Sequence, residues 1–252
     1  MTSIQTETAL VVDVWSDYAH FRKPYTTSSP LTFAFPPRTA LAGLVAAFIG
    51  LGKDEYLEHF TRDKASLAVA IAHSGTGTSK TRIPENFIDT KDSGSYKMCK
   101  IKNHTQINLE VVYAPKYRIF VQHREPEIYA VLKDNLARHH SVYTPYLGIS
   151  EFIAGYSFVG EFPCSSAQQF SEPIPITSVV PIDHVKPASI VFEAGESGNE
   201  YLKERMPGEM QPGRITTSYD EILYERHGNP IRAEPLEAST IAIKQPVIIM
   251  WL

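Results

Sequence analysis

Arg38 and Thr39 follow the pair Pro36-Pro37 and precede Ala40-Leu-Ala-Gly-Leu-Val-Ala-Ala-Phe-Ile-Gly50, a run without a single charge. Pro37 fits the first position of a helix, where its missing N–H would have had no partner anyway. Leu41, Leu44, Val45 and Phe48 then recur at helical spacing. Arg38 and Thr39 would sit where free backbone N–H groups and the positive end of the helix dipole point outward, an arrangement that holds phosphate or another anion. The alternative is that Thr39 caps the helix and Arg38 is a solvated flank. A second concentration of chemistry lies between Ser74 and His104, which show no apolar period. Lys80, Arg82, Lys97, Lys100, Lys102 and His104, with Phe87 and Tyr96, are the mixture that holds a single-stranded backbone by charge and its bases by stacking. The same composition also describes a solvated loop with no ligand.

Metal and thiol chemistry find no support. Cys99 and Cys164 share no CxxC or Cys/His cluster, and Arg138-His139-His140 has no cysteine or carboxylate at ligand spacing. The reading is therefore no disulfide framework, no metal and no cofactor.

The elements that must position these residues can be read in order. Leu10–Trp15 is a strand whose imperfect alternation marks a central position covered on both faces. The uncharged run is a helix buried against a sheet. Lys53–Asp63 reads as a short helical connection and Leu67–His73 as a second strand of alternating large and small residues. Ile107–Tyr113 is a third strand, with Tyr117–Gln122 as its hairpin partner. Pro126–Arg138 is an amphipathic helix with Ile128, Val131, Leu132 and Leu136 on one face, and Tyr156–Phe162 a closing strand. Strand, helix, strand, strand, helix, strand is the pattern of a ferredoxin-like βαββαβ domain, of class α+β. From Pro163 the texture changes to short strands among prolines, read as a small β-rich C-terminal domain. The division is thus 1–162 and 163–252, with the long excursion at about 75–105.

The 252 residues carry a net charge of −4, but the charge is unevenly spread. Up to Arg124 there are 15 Lys and Arg against 11 Asp and Glu, and beyond it 9 against 17. Between Tyr18 and Lys53 no acid accompanies Arg22, Lys23, Arg38 and Lys53. A local cationic surface on an acidic protein fits a partner held at one face. No basic, apolar leader and no run of about 18 apolar residues is present, so the expectation is a cytoplasmic protein without a membrane partner.

Asp17-Tyr-Ala-His-Phe-Arg22, Phe35-Pro-Pro-Arg-Thr-Ala-Leu-Ala-Gly43 with Ile49-Gly50 behind it, and Tyr143-Thr-Pro-Tyr-Leu-Gly-Ile-Ser-Glu-Phe152 together resemble the CRISPR-associated protein 5 family. These are ferredoxin-like RAMP (RRM-related) subunits of type I interference (Cascade) complexes, and the likeness, over roughly residues 9–162, is greatest to the type I-B branch. The resemblance implies a subunit that caps the 5′ handle of crRNA. It implies a protruding hairpin "thumb" where the long excursion lies, contacts with the backbone RAMP subunit and the large subunit, and target DNA met only through the complex. Carried onto this chain, the RNA-binding candidates are Arg22, Lys23, Arg38, Thr39, Lys80, Arg82, Lys97, Lys100, Lys102 and His104. It implies no catalytic residue. Type I-C members are, by contrast, metal-independent endoribonucleases of precursor crRNA, and His20, Tyr25, Lys100, Lys102 and His104 supply residue types for such a reaction. No motif, however, specifies a general base and a general acid together.

Overall fold

A computed structural model describes residues 7–26, 30–72, 77–88, 104–165, 168–193 and 198–252. The chain opens with β1 (Glu7–Trp15) and three short strands, β2 (Tyr18–Ala19), β3 (Phe21–Arg22) and β4 (Thr32–Phe33). Then follow α1 (Arg38–Ile49), α2 (Glu55–His59) and β5 (Ala65–Ile71). The strands β6 (Lys80–Ile88), β7 (His104–Tyr113) and β8 (Lys116–His123) lead to α3 (Pro126–Ala137) and β9 (Gly155–Cys164). The protein is a strand-rich α/β fold with few helices.

Strands β9, β1, β8 and β5 lie side by side in that order, every pair antiparallel. Successive side chains of a strand point to opposite faces, and here both faces are covered. Leu10, Val12 and Val14 of β1, with Leu67 and Val69 of β5, pack against Leu41, Val45 and Phe48 of α1 and Leu132 and Leu136 of α3. Ala9, Val11, Ala68, Ala70 and Phe120 form a second core on the opposite face. That is the physical origin of the imperfect alternation in β1. It also explains the large–small pattern of β5, where Leu67 and Val69 face the helices while Ala68 and Ala70 face the second core. In α3 the expected apolar face is narrower than four residues: Val131 turns outward and stays half-exposed, while Leu132 and Leu136 are buried.

The pairing of β7 differs from expectation. Ile107–Tyr113 does not form a hairpin with Tyr117–Gln122. It pairs instead with β6, from Lys80↔Val112 to Ile88↔His104, and with β2 at Tyr18↔Tyr113. Ala114, at φ 45°, and Pro115 turn the chain out of this outer sheet, and β8 enters the central one between β1 and β5. The reason lies in the two faces of β7. Val112 joins the main core, while Leu109 and Val111 form a satellite cluster with Phe152. Much of β6 carries no apolar face because its pairing rests on backbone hydrogen bonds with exposed side chains outside them. Residues 89–103, the far end of the predicted thumb, lie outside the described residues.

Beyond Cys164 come β10 (Ile174–Ile176), β11 (Val180–Pro181), the long hairpin β12 (Tyr201–Gln211) and β13 (Ile215–Glu225), then β14 (Ile231–Ala233), β15 (Ser239–Ile241) and β16 (Val247–Ile249). This stretch builds a cluster of its own around Ile176, Val180, Leu223, Ile231 and Met250. It also completes the first core. Strands β15 and β16 extend the central sheet past β9, and Leu252 N–H and Val179 N–H donate to the carbonyls of Leu67 and Val69 on the far edge, at 2.8 and 2.9 Å. Met206, Ile222, Tyr224 and Leu252 pack into the main core. Beyond Pro163 the described residues form strands and one 3₁₀ turn (Ile182–His184) but no α-helix, while the shared core continues across it.

Candidate nucleic-acid interface

The start of α1 is built differently from the expectation. Pro37 is the N-cap, with ψ 158°, and Thr39 makes no capping hydrogen bond. The Pro37 carbonyl takes the N–H groups of Ala40 and Leu41 at 2.9 Å each. Arg38, expected on the surface, is 3% exposed. Its Nε donates to the backbone oxygen of Leu252 at 3.0 Å and its Nη2 to the carbonyl of Ala65 at 2.9 Å. Burial, followed by the nearby Arg62 charge, pushes its pKa down to about 10, so it remains a cation at neutral pH. Both reading options for Arg38, anion ligand and solvated flank, give way to an interior tie between α1, the β5 start and the last residue of the chain.

Thr39 points the other way. The outward face of α1, made of Thr39, Ala40, Gly43 and Ala47, is the floor of a groove of about 510 Å³. One wall is the loop carrying Tyr143, Thr144, Tyr146 and Gly148. Lys53, Asp54, Tyr56 and Leu57 form another, and Met210 and Arg214 of the β12–β13 hairpin a third. The loop is held by backbone contacts. Tyr143 N–H donates to Ala47 O at 3.0 Å, Val142 N–H to Phe48 O at 3.4 Å, and His20 N–H to Leu147 O at 3.1 Å. Gly148 sits at φ 95°, and a Cβ there would lie 1.9 Å from His20 O, so only glycine lets the two backbones pass. With Leu147 fully buried, Tyr143 and Tyr146 are left 51% and 46% exposed. Gly50, at φ 80°, ends α1, and its bare Cα leaves room for Val142. On the hairpin tip Gly213 and Arg214 both adopt positive φ, which turns Arg214 toward the groove. Burial raises the pKa of the Tyr56 phenol, and the Arg214 charge acts against that shift. The groove thus offers tyrosine rings, the cations Lys53 and Arg214 against the one carboxylate of Asp54, and an uncharged floor of small residues.

The other predicted residues divide into three groups. Arg22 is exposed and donates to Thr26 O at 3.3 Å, and Arg82 is exposed on β6 opposite Glu110. Lys23 and Lys80 are engaged within the protein, Lys23 with Glu204 at 2.6 Å and Lys80 with Thr32 O at 2.8 Å. Lys97, Lys100 and Lys102 lie outside the described residues. So does the side chain of His104, whose backbone opens β7. His20 is buried, donates from Nδ1 to Glu110 O over 2.7 Å, and has its pKa lowered by desolvation. No group of three or more His, Cys, Asp or Glu side chains among the described residues is placed to hold a metal. Nor is any helix among them long and apolar enough to cross a membrane.

Sequence reasoning missed Lys53, Tyr56, Tyr143, Tyr146 and Arg214 as groove residues. The signal was partly present. Phe21, Pro36 with Thr39, and Tyr143 with Tyr146 come from the three stretches that carry the family resemblance, and they line one groove. Arg214 had no such signal, because it belongs to the acidic half of the chain.

The fold and groove define a mixed α/β protein that brings three distant sequence motifs to one face of one helix. The chain belongs to the CRISPR-associated protein 5 family: the family model described as CRISPR-associated protein (Cas_Cas5) matches residues 9–207. Among solved structures, a CRISPR protein from Archaeoglobus fulgidus shares the fold, with TM-score 0.50 and 15% identity over 96% of this chain and 98% of that one. A chain of a CRISPR RNA-guided surveillance complex gives TM-score 0.49 and 11% identity over 89% of this chain and 91% of that one. No curated protein matches.

Proposed function

We propose that the protein is a non-catalytic subunit of a type I CRISPR effector complex and holds the 5′ handle of crRNA in the groove over α1. On this reading β1-α1-β5-β8-α3-β9 is a ferredoxin-like βαββαβ core, the β6–β7 hairpin is its thumb, and the backbone and large subunits of Cascade dock on the remaining faces. The observation that carries it is the convergence of the three family stretches on a groove with exposed Tyr143 and Tyr146 beside Lys53 and Arg214. Bases stack on such rings and phosphates lie against such cations, irrespective of sequence. His20, one of the residues a cleavage reaction would call on, is buried and tied to Glu110 O, away from any RNA lying in the groove. Expression with a CRISPR array and the sister subunits should yield copurifying RNA with a uniform 5′ end. Repeat RNA incubated with the protein alone in EDTA should stay intact. RNA-free complexes, or a single cut in the repeat made by the protein alone, would overturn the reading.

A further inference from the structure

Glu204, on β12 in the C-terminal half, is the meeting point of three separate segments. Its Oε2 lies 2.6 Å from Lys23 Nζ, with both side chains only 12% exposed, and its Oε1 lies 3.7 Å from Lys80 Nζ at the root of β6. Lys80 in turn donates to Thr32 O at 2.8 Å and lies 3.8 Å from Glu110 on β7. Glu110 also accepts the Thr32 N–H at 3.1 Å, and its carbonyl meets His20. Lys23 also sits over the Phe33 ring, 5.3 Å from the centroid. The C-terminal half grips the hairpin root at a second place. Thr78 N–H donates to Arg226 O at 2.9 Å, and Gly77, at φ 54°, leaves no room for a Cβ against that same carbonyl. Two lysines and two carboxylates balance in charge, and all four side chains are largely withdrawn from water. Lys23 and Lys80 are therefore poorly placed to take a phosphate, although their sequence context is cationic.

We propose that Glu204 is a positioning residue: by bridging Lys23 and Lys80 it fixes the direction in which the β6–β7 hairpin leaves the body of the protein. The C-terminal sheet thereby sets the aim of an arm that belongs to the N-terminal half. The geometry of the joint stands by itself; its consequence for RNA rests on the proposed role of that hairpin as a gripping arm.

A carboxylate placed between two lysines could equally act as a phosphate mimic that masks them, and the two roles give opposite results. In Glu204→Gln, with volume kept and charge removed, amide exchange should speed up at least tenfold in Thr81–Ile83, Glu85 and Asn108–Val111. The amides of β1 and β8 should keep their rates. Affinity for handle-containing repeat RNA should fall several-fold. A uniform rise in exchange across the molecule, or a rise in RNA affinity, overturns the proposal. The double variant Lys23→Met, Glu204→Met separates joint from stability, since a buried pair replaced by apolar side chains of similar size commonly keeps the fold stable. It should regain the wild-type melting temperature while hairpin exchange stays fast, because Lys80 still has no carboxylate on β12. Protection that returns together with the melting temperature would make Glu204 a stability element only. Should the wild-type protein bind no RNA, the exchange pattern alone still decides the joint, and the failure belongs to the proposed function.

Discussion

Arg38 and Thr39 are neighbours in sequence and serve opposite sides of one helix. The Arg38 side chain turns inward, to carbonyls of residues 65 and 252, and Thr39 turns outward, onto the groove floor. The comparison teaches that a cation at a helix start is not thereby an anion site. Free N–H groups and a dipole do not fix where the neighbouring side chain points, and here the Arg38 guanidinium is drawn inward by the carbonyls of Ala65 and Leu252. The useful cations of the groove come instead from Lys53, just beyond the helix, and from Arg214, on a hairpin far along the chain.

The sharpest way to test the inward side is Arg38→Ala. It strips donors from two buried backbone oxygens, each costing about 1–3 kcal/mol when left unsatisfied. The melting temperature should fall on the order of 10 °C, while RNA affinity, measured below the transition, should hold. This reverses the sequence expectation of weaker RNA binding with unchanged stability. A variant that melts like the wild type and loses RNA would restore Arg38 to the interface.

Next in size is Gly148→Ala, which strikes both sides at once. A side chain at φ 95° costs about 1–3 kcal/mol in backbone strain, and this one also meets His20 O. Stability and RNA affinity should fall together, since the loop that moves carries Tyr143 and Tyr146. A change in only one of the two would uncouple the loop from the groove.

How far the sequence could be read follows from the range of the forces involved. The helix α1 and the strands β1, β5, β8 and β9 were legible because apolar spacing reports local burial. The inward turn of Arg38 was not, because Pro-Pro-Arg reads identically for either direction and the deciding partner, Leu252, is 214 positions away. The partner of β7 was misread for a related reason: adjacency in sequence favoured β8, whereas β6 hides its pairing behind exposed polar side chains. Tyr143 and Tyr146 were visible as a motif, but nothing local told which of their neighbours Leu147 and Gly148 would pull inward.

On the outward side, Tyr146→Ala should reduce affinity for single-stranded handle RNA by about 1–3 kcal/mol if a base stacks on the ring. Its melting temperature should stay within about 1–2 °C of wild type, because the half-exposed ring contributes little to the core. Tyr146→Phe should bind like the wild type, since stacking needs the π face and not the hydroxyl. A loss in Tyr146→Phe equal to that in Tyr146→Ala would replace stacking by a hydrogen bond from the phenol.

The smallest effect, and the most specific, is expected from Arg214→Ala. The side chain stands at a hairpin tip held by Gly213 and itself in positive φ, so an alanine there loses no buried contact, and stability should move little. If Arg214 lies against one phosphate of a single strand, its removal should release about 0.7 fewer counterions and flatten the dependence of log affinity on log salt by that amount. Arg82→Ala, on the hairpin away from the groove, gives the contrast. A short RNA of handle length that reaches only the groove should register Arg214 and ignore Arg82, whereas an RNA extended into the spacer should register both. Equal sensitivity to the two substitutions with the short RNA would mean that the groove over α1 is not where the handle binds.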